Sequence, residues 1–158
     1  MSHRARHSLL WVCLGLAACT SSEPAMDQVT LTDLATRYAA AWSSQHPDTL
    51  AAFYAADGSL SVNAGEPAVG RAAIRAMAEG YMTAFPDMVV RMDSVRLADS
   101  QAVFYWTWTG TNTGPGGTGK SVRLSGYEEW TIGPDGLIAA SKGHFDEAEY
   151  QRQLSDDR

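Results

Sequence analysis

Three proton-exchanging side chains stand near one another in the last third of the chain. Glu128 lies in the run Ser121–Ile132, whose apolar members fall mostly at every second position. It shares a strand face with Val122, Leu124, Trp130 and Ile132. A carboxylate among apolar neighbours is costly unless it is protonated, paired or functional. In the next segment Ile138, Ala140, Lys142, His144 and Asp146 alternate with Leu137, Ala139, Ser141, Gly143 and Phe145. That alternation sends His144 and Asp146 to one side of a strand end. Upstream, Phe104, Trp106 and Trp108 share one face of their own segment. The expected arrangement is an aromatic-lined pocket with Glu128, His144 and Asp146 near its polar part.

Each residue has a structural alternative. Asp146 can cap a C-terminal helix. Glu128 can pair with Lys142 or Arg123 at the sheet surface. The Phe104-Trp106-Trp108 stripe can be plain core. His46 precedes a proline in a turn and reads as a solvated loop residue.

The string Gly114-Pro115-Gly116-Gly117-Thr118-Gly119-Lys120-Ser121 fits the phosphate-loop pattern. A working phosphate loop opens a helix, whose N-terminus faces the phosphates. Here strand spacing follows, so the string reads as a hairpin loop and no nucleotide partner is expected.

The elements that must position these side chains are readable in outline. Leu31, Leu34, Ala35, Tyr38, Ala41 and Trp42 recur at helical spacing behind a candidate cap at Thr30, with Asp33 three residues on. His46-Pro47 ends that helix. Asp48 starts a short second helix through Leu50, Phe53 and Tyr54, and a strand follows near Ser59–Asn63. Residues 70–84 form a third helix with Ile74, Met77, Ala78 and Tyr81 on one side. Four strands then follow at 88–97, 102–111, 121–132 and 137–145. Ala98-Asp99-Ser100-Gln101 and Gly133-Pro134-Asp135-Gly136 are hairpin signals. Helices followed by antiparallel strands make an α+β fold, a curved sheet wrapped around the helices.

The N-terminus has its own pattern. Arg4 and Arg6 precede an apolar run from Leu9 to Ala18, and Leu16-Ala17-Ala18-Cys19 closes it. The run has signal-peptide length and is too short to span a bilayer. The segment resembles a bacterial lipoprotein signal. That resemblance implies cleavage before Cys19 and lipid on its sulfur and new N-terminus, which together anchor a protein stably. Residues 1–18 are then the signal, 19–28 a tether, and 29–158 the working domain. Thr20 stands where an inner-membrane retention signal has aspartate, so the expected address is the cell envelope, with the outer membrane favoured.

Composition agrees with one such domain. The chain has 158 residues with 12 basic and 18 acidic side chains. Removing Arg4 and Arg6 leaves ten basic residues against eighteen acidic ones. No basic stripe recruits nucleic acid. Cys13 leaves with the signal and Cys19 takes lipid, so no thiol remains for a disulfide, a zinc site or a nucleophile. With only His46 and His144 left, no metal is expected.

Several strings in sequence then resemble the SnoaL-like polyketide cyclases of the nuclear transport factor 2-like superfamily. They are Ala41-Trp42, the stretch His46 to Asp57, Gly70-Arg71-Ala72-Ala73-Ile74 and Phe85-Pro86-Asp87. Trp106 to Gly114 is similar to the family's G-T-H-x-G turn, and Gly136 to Asp146 to its last strand and following helix. The resemblance implies a cone-shaped α+β fold with a pocket between sheet and helices. It also implies cofactor-free chemistry, with Asp146 as the general acid/base, aided by His144 or Glu128. Trp106, Trp108, Phe104, Asn112, Tyr81 and Trp42 make up the candidate ligand-binding set. Asn112 replaces the family's histidine, and Lys142 a frequent tryptophan. Three readings follow: a lipoprotein domain binding a small apolar or carbonyl-bearing ligand, a cofactor-free cyclase, isomerase or hydrolase, and an accessory lipoprotein that forms a homodimer through its sheet face.

Overall fold

The computed structural model describes residues 26–98 and 101–155. The expected signal, Cys19 and most of the expected tether lie outside the described residues, as do Asp99 and Ser100 of the first hairpin signal.

Helix α1 spans Gln28–Ser43 and buries Leu31, Leu34, Ala35, Tyr38, Ala39, Ala41 and Trp42. Its cap is Asp27, not Thr30: the Asp27 carboxylate accepts the Thr30 N–H at 2.7 Å. Helix α2, Pro47–Ala51, is shorter than expected. Tyr54 does not belong to it, because the sheet claims that residue as the first of strand β1, Tyr54–Val62. A two-residue strand β2, Ala68–Val69, pairs with β1. Helix α3, Arg71–Ala84, follows Gly70, whose φ of 82° suits glycine. Strands β3 (Val89–Ala98), β4 (Gln101–Thr111), β5 (Ser121–Ile132) and β6 (Ile138–Phe145) form a meander, and helix α4 (Glu147–Leu154) closes the described chain.

The six strands make one sheet in the order β2-β1-β6-β5-β4-β3. Only β1 and β6 pair in parallel. The sheet curves around α1 and α3, as the α+β reading expects. The core holds Tyr38, Leu50, Tyr54, Leu60, Ile74, Phe85, Phe104, Trp130 and Ile138 with almost no exposure. Burying such side chains contributes roughly 1.5–3 kcal/mol each. The glycine-rich string lies between β4 and β5, and the residue after Lys120 begins a strand. Among the described residues, no helix is long and apolar enough to cross a membrane.

One irregularity matters for the site. Thr131 of β5 pairs with Ala140, but its neighbour Ile132 pairs with Ile138. Ala139 is thus an extra residue, a bulge that flips the side-chain parity of β6. Ile138 faces the core before the bulge, and Ser141 and Gly143 face it afterwards.

Candidate functional site

Strand β5 carries Glu128 on its concave face, directly opposite Phe104 on β4 and Gly143 on β6. Glu128 is only 6% exposed. Its Oε2 accepts three hydrogen bonds, from the Tyr38 hydroxyl at 2.9 Å, Trp130 Nε1 at 2.9 Å and Ser141 Oγ at 2.7 Å. The Tyr38 hydroxyl also meets the Tyr54 hydroxyl at 2.7 Å. Since Tyr38 gives its proton to Glu128, Tyr54 is the donor in that contact. Burial raises the Glu128 pKa, while the bonds from Ser141, Trp130 and Tyr38 oppose the rise. Burial and the nearby Glu128 charge push both tyrosines well above their usual range, so they stay protonated.

An oxygen that takes three donors carries no proton of its own. Any proton on Glu128 therefore sits on Oε1. No hydrogen bond reaches Oε1 among the described residues, yet it is not among the buried atoms lacking a partner, so it keeps contact with open space. Glu128 lines a cleft of about 60 Å³. Its walls are Trp42 from α1, Tyr81 from α3, Trp106 and Trp108 from β4, and Phe145 from β6. Leu60, Val62, Met88 and Val90 complete the apolar lining, and Gly143 keeps the floor beside Glu128 open. Tyr81 meets Trp42 and Trp108 edge-on, at interplanar angles of 82° and 89°. Gly126 lets the Trp106 ring lie close over β5, where a Cβ would stand 2.4 Å from that ring. The indole N–H groups of Trp106 and Trp108 are buried and have no acceptor among the described residues.

The structure separates the candidate residues. Glu128, Trp106, Trp108, Tyr81 and Trp42 line one cleft. His144 does not, because the Ala139 bulge turns it to the outer face. There it stacks on Tyr127 at 4.7 Å and bonds Glu129 at 3.0 Å. Asp146 is exposed and caps α4, accepting the Glu149 N–H at 2.9 Å. It is not at the cleft floor that an acid/base needs. Glu128 does not pair with Lys142 or Arg123 at the surface, because its strand face is the inner one. Phe104 lies deeper, stacked on Trp130 at 4.9 Å and fully buried. Asn112 organises the glycine-rich loop: its Nδ2 donates to the Ala84 carbonyl and its Oδ1 accepts the Thr118 N–H.

Sequence reasoning missed the clamp on Glu128. Tyr38 appeared only as part of a helical stripe, and Tyr54 as the end of a helix. Ser141 opposite Trp130 was a usable signal, but the unseen bulge assigned it to the wrong face. Among the described residues no group of three or more His, Cys, Asp or Glu side chains is disposed to hold a metal ion.

No curated protein matches the chain. Among solved structures, a hypothetical protein with a ketosteroid isomerase-like fold from Catenulispora acidiphila, in complex with trimethylamine, matches with TM-score 0.70 and 18% identity, over 77% of this chain and 92% of that one. A protein described as a SnoaL-like polyketide cyclase from Jannaschia sp. CCS1 matches with TM-score 0.73 and 15% identity, over 83% and 95%. One described as a polyketide cyclase from Xanthomonas campestris matches with TM-score 0.64 and 22% identity, over 81% and 98%. At these identities the likeness shows the fold. The SnoaL-like domain profile itself matches residues 35–141, the span that holds the cleft's walls apart from Gly143 and Phe145, and the chain belongs to the SnoaL-like domain family.

Proposed function

We propose that the chain is a cell-envelope lipoprotein, anchored through Cys19, whose SnoaL-like domain binds a small apolar or carbonyl-bearing ligand. The observation that supports the binding reading is the cleft itself: five aromatic walls, an apolar lining and one buried carboxyl among the lining residues. Concave apolar sites with few polar groups are the usual form of small-molecule sites. The anchor rests on the sequence pattern alone.

The binding test uses Gly143. A Cβ there meets only ordinary contacts, 3.5 Å from the Ser61 carbonyl and 3.6 Å from Glu128 Cγ. A Cβ therefore fits there without displacing backbone, and the larger side chain of Gly143→Val fills the floor. It should abolish binding of a small apolar probe such as tert-butanol, read by tryptophan fluorescence, while the melting temperature changes little. Unchanged binding by that variant sinks the cleft reading. For the anchor, Cys19→Ala should leave the precursor unprocessed or release the chain from the membrane fraction. Normal processing and membrane retention refute it.

A second reading has one observation in its favour. A cofactor-free cyclase, isomerase or hydrolase needs an acid/base in the cleft, and Glu128 lines the cleft where Asp146 does not, which supports Glu128 in that role. A Glu128→Gln variant that binds a substrate but turns over 10²–10⁴-fold more slowly, roughly, supports it. Equal turnover excludes it.

A further inference from the structure

Resting on the cleft as the ligand site, we infer that its ligand presents a cationic alkylammonium group, seated among the rings of Trp42, Tyr81, Trp106, Trp108 and Phe145 against Glu128 Oε1.

The first support is the missing counter-ion. Glu128 carries three donors on Oε2, an arrangement suited to negative charge on that oxygen. Yet no lysine or arginine lines the cleft or pairs with Glu128 among the described residues. A buried carboxylate with no opposite charge is costly to hold. A ligand cation at Oε1 supplies that charge.

The second support is the shape of the walls. Tyr81 stands nearly perpendicular to both Trp42 and Trp108. Trp106 and Phe145 meet at 64° with centroids 6.4 Å apart. Rings set at steep angles around one small space make a box, and ring faces attract a cation that has lost its water.

The third support is what the cleft withholds. The indole N–H groups of its two β4 tryptophans are closed off, so ring carbon rather than N–H faces the space. Glu128 and Tyr81 are the only lining side chains with oxygen or with nitrogen outside an indole. An anion finds no positive group there. The size also fits: 60 Å³ accepts about four to six water-sized groups at 10–15 Å³ each, the scale of a methylated ammonium head. Leu60, Val62, Met88 and Val90 leave apolar surface for an attached alkyl chain.

The test compares tetramethylammonium with tert-butanol, a neutral molecule of similar size, on the full chain in detergent. Binding is read by tryptophan fluorescence and by competition between the two. Tetramethylammonium should bind at least tenfold more tightly. Glu128→Gln should weaken the cation tenfold or more, and by a larger factor than it weakens tert-butanol. Because an altered clamp can perturb folding, Tyr81→Leu is the second variant: it keeps the half-buried position apolar, removes one wall of the box, and should weaken the cation selectively. Equal affinity for the two probes, or cation binding indifferent to both variants, overturns the inference. If tert-butanol binds and Gly143→Val blocks it while the cation does not bind, the cleft reading stands and the cationic ligand falls. If neither probe binds, both fall.

Discussion

Asp146 and Glu128 show how differently two carboxylates of one domain are used. Asp146 accepts the Glu149 N–H at the start of α4 and faces solvent. Its replacement by asparagine should leave stability and cleft binding unchanged, since asparagine caps about as well. Asp146→Ala should cost on the order of 1 kcal/mol, read by urea melts, and also leave binding unchanged. Loss of binding in the asparagine variant would return Asp146 to the site. Glu128 is the opposite case, with its pKa raised by burial above its ordinary value. A raised folded-state pKa favours folding below about pH 4.5, and that contribution fades as pH rises through the folded value. The stability of Glu128→Gln relative to the parent should therefore improve as pH rises from about 4.5 toward neutrality, where the variant no longer buries a charge. Melts of both proteins across that range check it, and a pH-independent difference refutes it. Glu128 was legible in the sequence because a carboxylate interrupts an alternating apolar face. Its partners were not, because Tyr38, Tyr54 and Ser141 come from three elements that only the fold brings together.

Most elements were legible for a similar reason: hydrophobic period and turn chemistry are local. β5 is found at residues 121–132, the bounds that its alternation gives. What stayed hidden was parity. One extra residue at Ala139 reverses every side chain after it, and no local pattern marks it, since Ala139, Ala140, Ser141 and Gly143 are all small and give little hydrophobic contrast between the two faces. That single residue explains why His144 was expected inward and lies outward on Tyr127. The tyrosine that opens β1 was likewise claimed by sheet pairing over local helical pattern. The glycine-rich loop shows the converse, a string whose context decides its meaning. Gly114 presses on the end of α3, where a Cβ would stand 2.0 Å from the Thr83 carbonyl oxygen. Asn112 ties the same loop to Ala84. These contacts make the loop a brace for α3, and a strand rather than a helix follows it. Lys120→Ala should leave cleft binding unchanged, since Lys120 does not line the cleft. Micromolar ATP binding by calorimetry, lost in that variant, would overturn the loop reading.

At the scale of the molecule the sheet has two faces with different tasks. The concave face is closed by α1 and α3 and holds the core and the cleft. The outer face keeps Tyr105 and Tyr127 at 38% and 39% exposure, with ring centroids 6.0 Å apart. Arg96 lies over Tyr105, and His144 stacks on Tyr127 while bonding Glu129. Tyrosines and arginine together form the kind of patch enriched in protein interfaces. A homodimer through the sheet face, one of the readings that the sequence offers, would use this patch. If two copies meet on it, Tyr105→Glu with Tyr127→Glu places four carboxylates in one interface, and sedimentation should show a monomer. Because both side chains point away from the cleft, binding of the small probes should survive within about twofold. A parent chain that sediments as a monomer at micromolar concentration removes the dimer, whereas a double variant that stays dimeric moves the interface to another surface.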